Sequence, residues 1–184
     1  QAKTLFPYTT LFRSSGVGTR HNLFDDLYVY IDRAHTPESF DVILKNLKSD
    51  TSFSITVVFG CGGDRDQKKR PQIAQVCQKW ADTIIVTEDN PRNELLVNIM
   101  IDIIKGFDSL NNVYMIPVRE EAINFALSLN KSKHIVVLLG KGGETFQLRK
   151  SEKIYFSEMD CINKYLGGKN KKAGTSAAVL ILDS

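Results

Sequence analysis

Four short segments of this 184-residue chain gather the side chains that could bind or convert a small charged ligand. The first is Asp32-Arg33-Ala34-His35-Thr36-Pro37. A carboxylate at the end of a strand can accept hydrogen bonds from a ribose, and an imidazole can stack on a base. Equally, Asp32 or Thr36 could do no more than cap the next helix. The second segment is Gly60-Cys61-Gly62-Gly63-Asp64-Arg65-Asp66. Its glycines let a backbone come close to a ligand, and Arg65 offers a planar fork to a carboxylate or phosphate; the bland alternative is a turn whose charges face water. The third, Asp89-Asn90-Pro91-Arg92, forms a tight turn on composition alone, and it would present an acceptor and a donor fork from one corner. The fourth is Gly140-Lys141-Gly142-Gly143-Glu144, a glycine-lysine loop without the following Ser or Thr of a phosphate loop. No glycine closes a G-x-G-x-x-G fingerprint in the second segment, which disfavours a nucleotide-dependent oxidoreductase.

The elements that carry these segments alternate in kind. Runs rich in Val, Ile, Tyr and Phe over residues 27–32, 54–60, 83–88, 113–118 and 135–140 read as strands. Helical stretches are expected at 37–48, 70–82, 94–107 and 120–129. In the last, Ala122, Ile123, Phe125, Ala126 and Leu129 line one helical face. Pro37 and Pro71 suit a first helical turn. Such alternation predicts an α/β, Rossmann-like fold, a mostly parallel sheet with helices on both faces. The near-continuous apolar strands agree, because that sheet is buried on both sides. Residues 145–156 read as a small C-terminal hairpin and 157–166 as a last helix. All four segments then fall after strands, where parallel sheets bind ligands.

Composition bounds the function. With 42% hydrophobic residues, a core of one domain is affordable without disulfides or a structural metal. A net charge of +3 gives no dense basic face for nucleic acid, and no apolar run approaches a membrane span. Cys61, Cys77 and Cys161 fit neither a disulfide framework nor a zinc signature. They point to a reducing, cytoplasmic setting and to no metal site. Residues 1–14 lack the apolar stretch and cleavage site of a signal peptide; they resemble translated adapter read-through and are set aside as a non-native segment. Residues 167–184 read as a linker-like tail, and the apolar 177–182 stretch within it has no place in the sheet.

Jointly, the four segments resemble the C-terminal domain of the Mur ligases, the ATP-dependent amide-forming enzymes of peptidoglycan synthesis. The resemblance runs from about Gly16 to Leu166, so residues 15–166 are expected to form that domain. It is greatest to members that extend UDP-N-acetylmuramoyl-L-alanyl-D-glutamate by a third amino acid. Their segments read D-Y-A-H-T-P, G-C-G-G-D-R-D with a following K-R-P, D-N-P-R and G-K-G-H-E. Arg33 and Gly143 depart from that pattern, whereas Lys69, Arg70, Pro71 and Glu94 keep it. The resemblance implies that Arg65, Asp89, Asn90, Arg92, Gly140 and Glu144 hold the incoming amino acid, meso-diaminopimelate. It implies that Asp32 and His35 lie near the ribose and adenine of ATP. Arg20 corresponds to an interdomain arginine that reaches the ATP phosphates. In the implied reaction ATP activates the D-glutamate carboxylate and the amine of the new residue attacks it. The phosphate loop and Mg2+ ligands belong to a central domain, so no catalytic residue is expected in this chain, and it is expected to be inactive alone. The same resemblance leaves open an L-lysine-adding ligase, in which the position of Arg92 usually carries a small residue. A non-catalytic small-molecule-binding module is the alternative from another class. The chain is taken as monomeric.

Overall fold

The computed structural model describes the backbone of residues 19–24 and residues 27–50, 52–129 and 133–173. The strands are β1 (Thr19–Phe24), β2 (Leu27–Asp32), β3 (Ser54–Phe59), β4 (Thr83–Val86), β5 (Val113–Met115) and β6 (His134–Leu139), followed by a hairpin of β7 (Phe146–Arg149) and β8 (Glu152–Tyr155). The helices are α1 (Pro37–Asp50), α2 (Lys69–Trp80), α3 (Leu96–Ile104), α4 (Arg119–Ser128) and α5 (Glu158–Ala173). The six-stranded sheet has the order β1-β2-β6-β3-β4-β5. Strands β2 to β6 run parallel, and β1 pairs antiparallel with β2 at the edge.

The period of two along each strand decides which helix covers which face. Tyr28, Tyr30, Ile55, Val57, Phe59, Ile135, Val137 and Leu139 pack against α1, α2 and α3. The intervening Val29, Ile31, Val58, Val136 and Leu138 pack against α4 and α5. Both faces are therefore apolar and both are covered, as expected. At the entrance to α1, Thr36 and Ser39 cap reciprocally: the Ser39 N–H donates to Thr36 Oγ1 (3.3 Å) and the Thr36 N–H to Ser39 Oγ (3.2 Å). Thr36, not Asp32, is the cap.

Four elements differ from expectation, the first being β5, which ends at Met115 and not at residue 118. Strand β1 differs because residues 19–22 are polar and carry no strand pattern, the extended form coming from pairing with β2. Helix α3 starts two residues late, because the Glu94 N–H closes the turn on the Pro91 carbonyl (3.0 Å), and ends three residues early at Ile104. Helix α5 continues across residues 167–173, which composition assigns to a linker; extending an existing helix costs far less than nucleating one. Residues 1–14 and 174–184 lie outside the described residues. All three cysteines are buried and unpaired, and burial pushes the Cys61 thiol up to about 12 and the Cys161 thiol up to about 11. No helix among the described residues is long and apolar enough to cross a membrane.

Candidate functional site

The chain leaves β3 toward α2 on one face of the sheet and leaves β6 toward the hairpin and α5 on the other. Adjacent strands whose connections diverge open a crevice at their carboxyl ends. The loops after β3, β4 and β6 meet there. The Gly63 N–H donates to the Asn90 carbonyl (2.9 Å), and a Cβ on Gly63 would run into the Pro91 backbone. This glycine-rich loop thus approaches a neighbouring loop, not open space, which revises the sequence-based reading of its glycines.

Arg92 is locked from three sides. Its N–H donates to the Leu148 carbonyl (3.0 Å), its carbonyl accepts from the Lys150 N–H (2.6 Å), and its Nη1 donates to the Gly63 carbonyl (2.8 Å). These bonds hold the residue at φ 51°, a left-handed conformation costing about 1–3 kcal/mol that persists only where its surroundings enforce it. The hairpin thereby docks on the Asp89–Arg92 turn. Arg149 completes the dock by gripping the buried Glu88 carboxylate through Nη2 (2.6 Å) and Nε (3.1 Å).

Asn90, Asp89 and Glu144 come together in an acidic corner. Asn90 Nδ2 donates to Glu144 Oε2 (3.2 Å), and Asn90 Oδ1 accepts from the Leu148 N–H (2.9 Å) and Lys141 Nζ (3.1 Å). Lys141 pairs with Asp89 at 3.5 Å and Glu144 at 3.6 Å. Burial pushes its ammonium below the usual lysine range, and the Asp89 carboxylate offsets part of that. Gly140 borders the corner; a Cβ there would sit 3.6 Å from Asp89 Oδ2. Arg65 is exposed at the rim. Gly62 stands between it and Arg92, for a Cβ on Gly62 would meet Arg65 Cγ at 3.5 Å and Arg92 Nη1 at 2.7 Å. Asp64 and Asp66 also face water, binding Asn93 and the Lys68 N–H.

The other predicted residues stand apart from that corner, after β2. Asp32 is 5% exposed and already accepts the Ala34 N–H (2.8 Å) and the Tyr30 hydroxyl (3.3 Å). Burial and this carboxylate together push the Tyr30 hydroxyl above its ordinary range. His35 is exposed with Nδ1 on the Arg33 carbonyl (3.0 Å), and Lys69 Nζ steadies its loop through the His35 carbonyl (2.9 Å). Arg20 lies on β1 opposite Tyr30; its side chain is outside the described residues.

Two buried arginines anchor the loops. Arg70 donates to Glu94 (2.6 Å to each oxygen), Asp102 (3.0 Å) and the Gly62 carbonyl (3.2 Å). Arg119 donates to Glu158 (2.7 Å) and to the carbonyls of Glu88 (3.1 Å) and Leu139 (2.9 Å), tying the ends of β4 and β6 to α5. Sequence reasoning missed Lys141, Arg119 and Arg149 as parts of the site. Lys141 had a signal, a lysine between two glycines, but it was weighed only as a failed phosphate loop.

A parallel sheet thus carries an acidic corner beside a fixed arginine at the ends of its central strands. Residues 18–142 match the family described as Mur ligase, glutamate ligase domain, and the chain belongs to it. It is 43% identical over 138 residues to a curated protein from Wigglesworthia glossinidia brevipalpis, UDP-N-acetylmuramoyl-L-alanyl-D-glutamate--2,6-diaminopimelate ligase. That match covers 75% of this chain and 28% of the relative. The protein of the same name from Clostridioides difficile (strain 630) is 38% identical over 157 residues, covering 83% and 32%. A solved structure of a ligase of that name superposes with a TM-score of 0.78 at 34% identity, covering 85% of this chain and 32% of the other. The chain thus spans between 28% and 32% of the length of these relatives.

Proposed function

We propose that this chain is the amino-acid-binding domain of a cytoplasmic, monomeric ligase that adds meso-diaminopimelate to UDP-N-acetylmuramoyl-L-alanyl-D-glutamate. The observation that carries the reading is the pairing of opposite charges across neighbouring loops. Glu144, bonded to Asn90, offers a carboxylate for an ammonium, and Arg92, fixed on Gly63, offers its remaining N–H groups to a carboxylate. One stereocentre of diaminopimelate carries both groups. Asp89 and Gly140 border that end, and Arg65 at the rim serves the other carboxylate. L-Lysine lacks the far carboxylate, so Arg92 distinguishes the two ligands.

ATP, when bound, supplies the activation of the D-glutamate carboxylate that the amine attacks. His35 fits a role at its base, since the ring is exposed and its Nε2 edge faces away from the Arg33 carbonyl bond. Asp32 fits a ribose less directly, because both oxygens already have donors. Arg20 is assigned to the phosphates. No group of three or more His, Cys, Asp or Glu among the described residues is placed to hold a metal ion. The Mg2+ ion and the UDP-linked substrate are assigned to further domains of the ligase, as the resemblance to the Mur ligases implies.

Calorimetric titration of the purified chain tests this reading. With lysine bound, Arg92 keeps its bonds to Gly63 and Asn90, so lysine forfeits one charge-assisted interaction, about 1.5–3 kcal/mol. The expected preference for meso-diaminopimelate is roughly 10- to 100-fold, and Arg92→Ala erases it. The same chain turns over no ATP. Equal affinity for both amino acids, or none for either, overturns the reading.

A further inference from the structure

The Nζ atom of Lys141 sits inside a cage of oxygens. The Phe146 carbonyl lies at 2.8 Å, Asn90 Oδ1 at 3.1 Å, Asp89 Oδ1 at 3.5 Å and Glu144 Oε2 at 3.6 Å. Such a set, two carboxylates and two neutral carbonyl oxygens, would suit a small bare cation. The chain supplies the cation covalently instead, on a side chain with no exposed surface. Asp89 Oδ1 is buried and accepts no hydrogen bond, so the nearby ammonium offsets its charge. Gly140 (φ 112°) and Gly142 (φ 54°) bend the loop on either side of Lys141 and turn it inward. A Cβ on Gly142 would strike Arg33, so the bend is closely packed as well as unusual.

Two consequences follow for the corner. Asn90 Oδ1 has two donors, Lys141 Nζ and the Leu148 N–H, so the opposite amide orientation would set donor against donor. That leaves Asn90 Nδ2 facing Glu144 and the crevice. Secondly, Asp89 and Glu144 carry two negative charges and Lys141 removes one. A corner of net charge −1 complements one ammonium, whereas an uncompensated pair would draw in a divalent cation or a second monovalent one.

We infer that Lys141 is a positioning residue, a tethered cation that fixes the Asn90 amide and matches the Asp89–Glu144 corner to a single substrate ammonium. Only the match to a substrate ammonium rests on the amino-acid reading above.

Amide NMR spectra of the purified chain, with and without meso-diaminopimelate, provide the test. Lys141→Met keeps the length and apolar stem but not the charge. Were Lys141 mere packing, Met would preserve the Asn90 side-chain amide signals. The inference expects them to shift and to lose about tenfold or more in exchange protection, while backbone signals of β2, β3 and β6 stay in place. Unchanged Asn90 signals overturn it. Should Lys141→Met unfold, Lys141→Arg decides: it retains the charge and must retain the Asn90 signals, and their loss overturns the positioning role. Affinity of Lys141→Met for meso-diaminopimelate should fall about tenfold, because the released Asn90 amide gives up its hold on Glu144 and a solvent cation competes for the doubly charged corner; undiminished affinity overturns the charge match. If the unaltered chain binds no meso-diaminopimelate, the amino-acid reading and with it the charge match fail, while the Asn90 signals still decide the positioning role.

Discussion

Arg70 and Arg119 flank the candidate site, each with no exposed side-chain surface, yet their surroundings differ. The carboxylates that meet Arg70 keep some water contact, with Glu94 15% and Asp102 23% exposed. The Arg70 guanidinium holds the Glu94 carboxyl below its ordinary range. Lys105 first, then Arg70, does the same for Asp102. Glu158, facing Arg119, has no exposed surface, and burial raises its carboxyl despite the guanidinium beside it. The same residue type therefore stabilises on one flank and chiefly fixes geometry on the other. Desolvation decides which, since a fully buried pair recovers little more than it costs.

The largest effect expected is on the buried flank. Arg119→Ala leaves Glu158 buried without its partner and should lower stability by about 3–5 kcal/mol in urea denaturation. Replacing both, with Arg119→Met and Glu158→Leu, removes the unpaired charge and should recover part of that loss, the Glu88 and Leu139 carbonyls still lacking a donor. Arg70→Met with Glu94→Leu should recover less, because a second carboxylate, Asp102, loses its guanidinium along with the Gly62 carbonyl. Equal recovery in the two double variants would break the comparison.

Gly63→Ala comes next. Its methyl group would enter the Pro91 backbone, an overpacking that costs about 1–3 kcal/mol, and it should also release Arg92. A melting temperature unchanged by this substitution would mean that the two loops are not held against each other.

Acid sharpens the contrast between the arginines. A lowered carboxyl contributes stability that is complete above the ordinary value of 4.5 and is lost as pH falls through its folded value, which is the case of Glu94. Glu158 has the opposite sign: its raised carboxyl favours the folded state as it protonates and gives that up as pH rises. Urea midpoints followed from neutrality to about pH 3 should decline below 4.5, and Arg70→Met should flatten the decline. An undiminished slope in that variant would place the acid sensitivity elsewhere. The smallest effect belongs to Gly143→Ala, whose methyl group meets nothing within 4 Å; stability should stay within about 0.5 kcal/mol, measured the same way.

Much of the fold was legible in the chain itself. Strands β2, β3, β4 and β6 lie within two residues of expectation, because a strand buried on both faces must be apolar throughout and short. The four functional segments fall at strand ends for the same reason: polar residues and glycines are what interrupt such runs. Asp89–Arg92 was readable as a turn from Asn-Pro alone, and Pro37 marked the start of α1. The helix cap was readable only as a choice between Asp32 and Thr36. Short-range chemistry sufficed wherever both partners lie a few residues apart.

Tertiary structure decided the rest. Asn90 and Glu144 are 54 residues apart, Arg119 and Glu158 39, and Arg70 and Glu94 24. No local pattern specifies such pairings; the sheet order, with β6 beside β3 and β3 beside β4, brings the Asn90 and Glu144 loops to one crevice. For the same reason Gly63 read as room for a ligand until Pro91 filled it, and β1 was invisible without β2 to pair with. Lys141 shows the difference most plainly. As a residue type it is a flexible surface cation, and it becomes a fixed internal one only when the Asp89–Asn90 turn and the start of the hairpin close around it and its charge offsets two half-buried carboxylates.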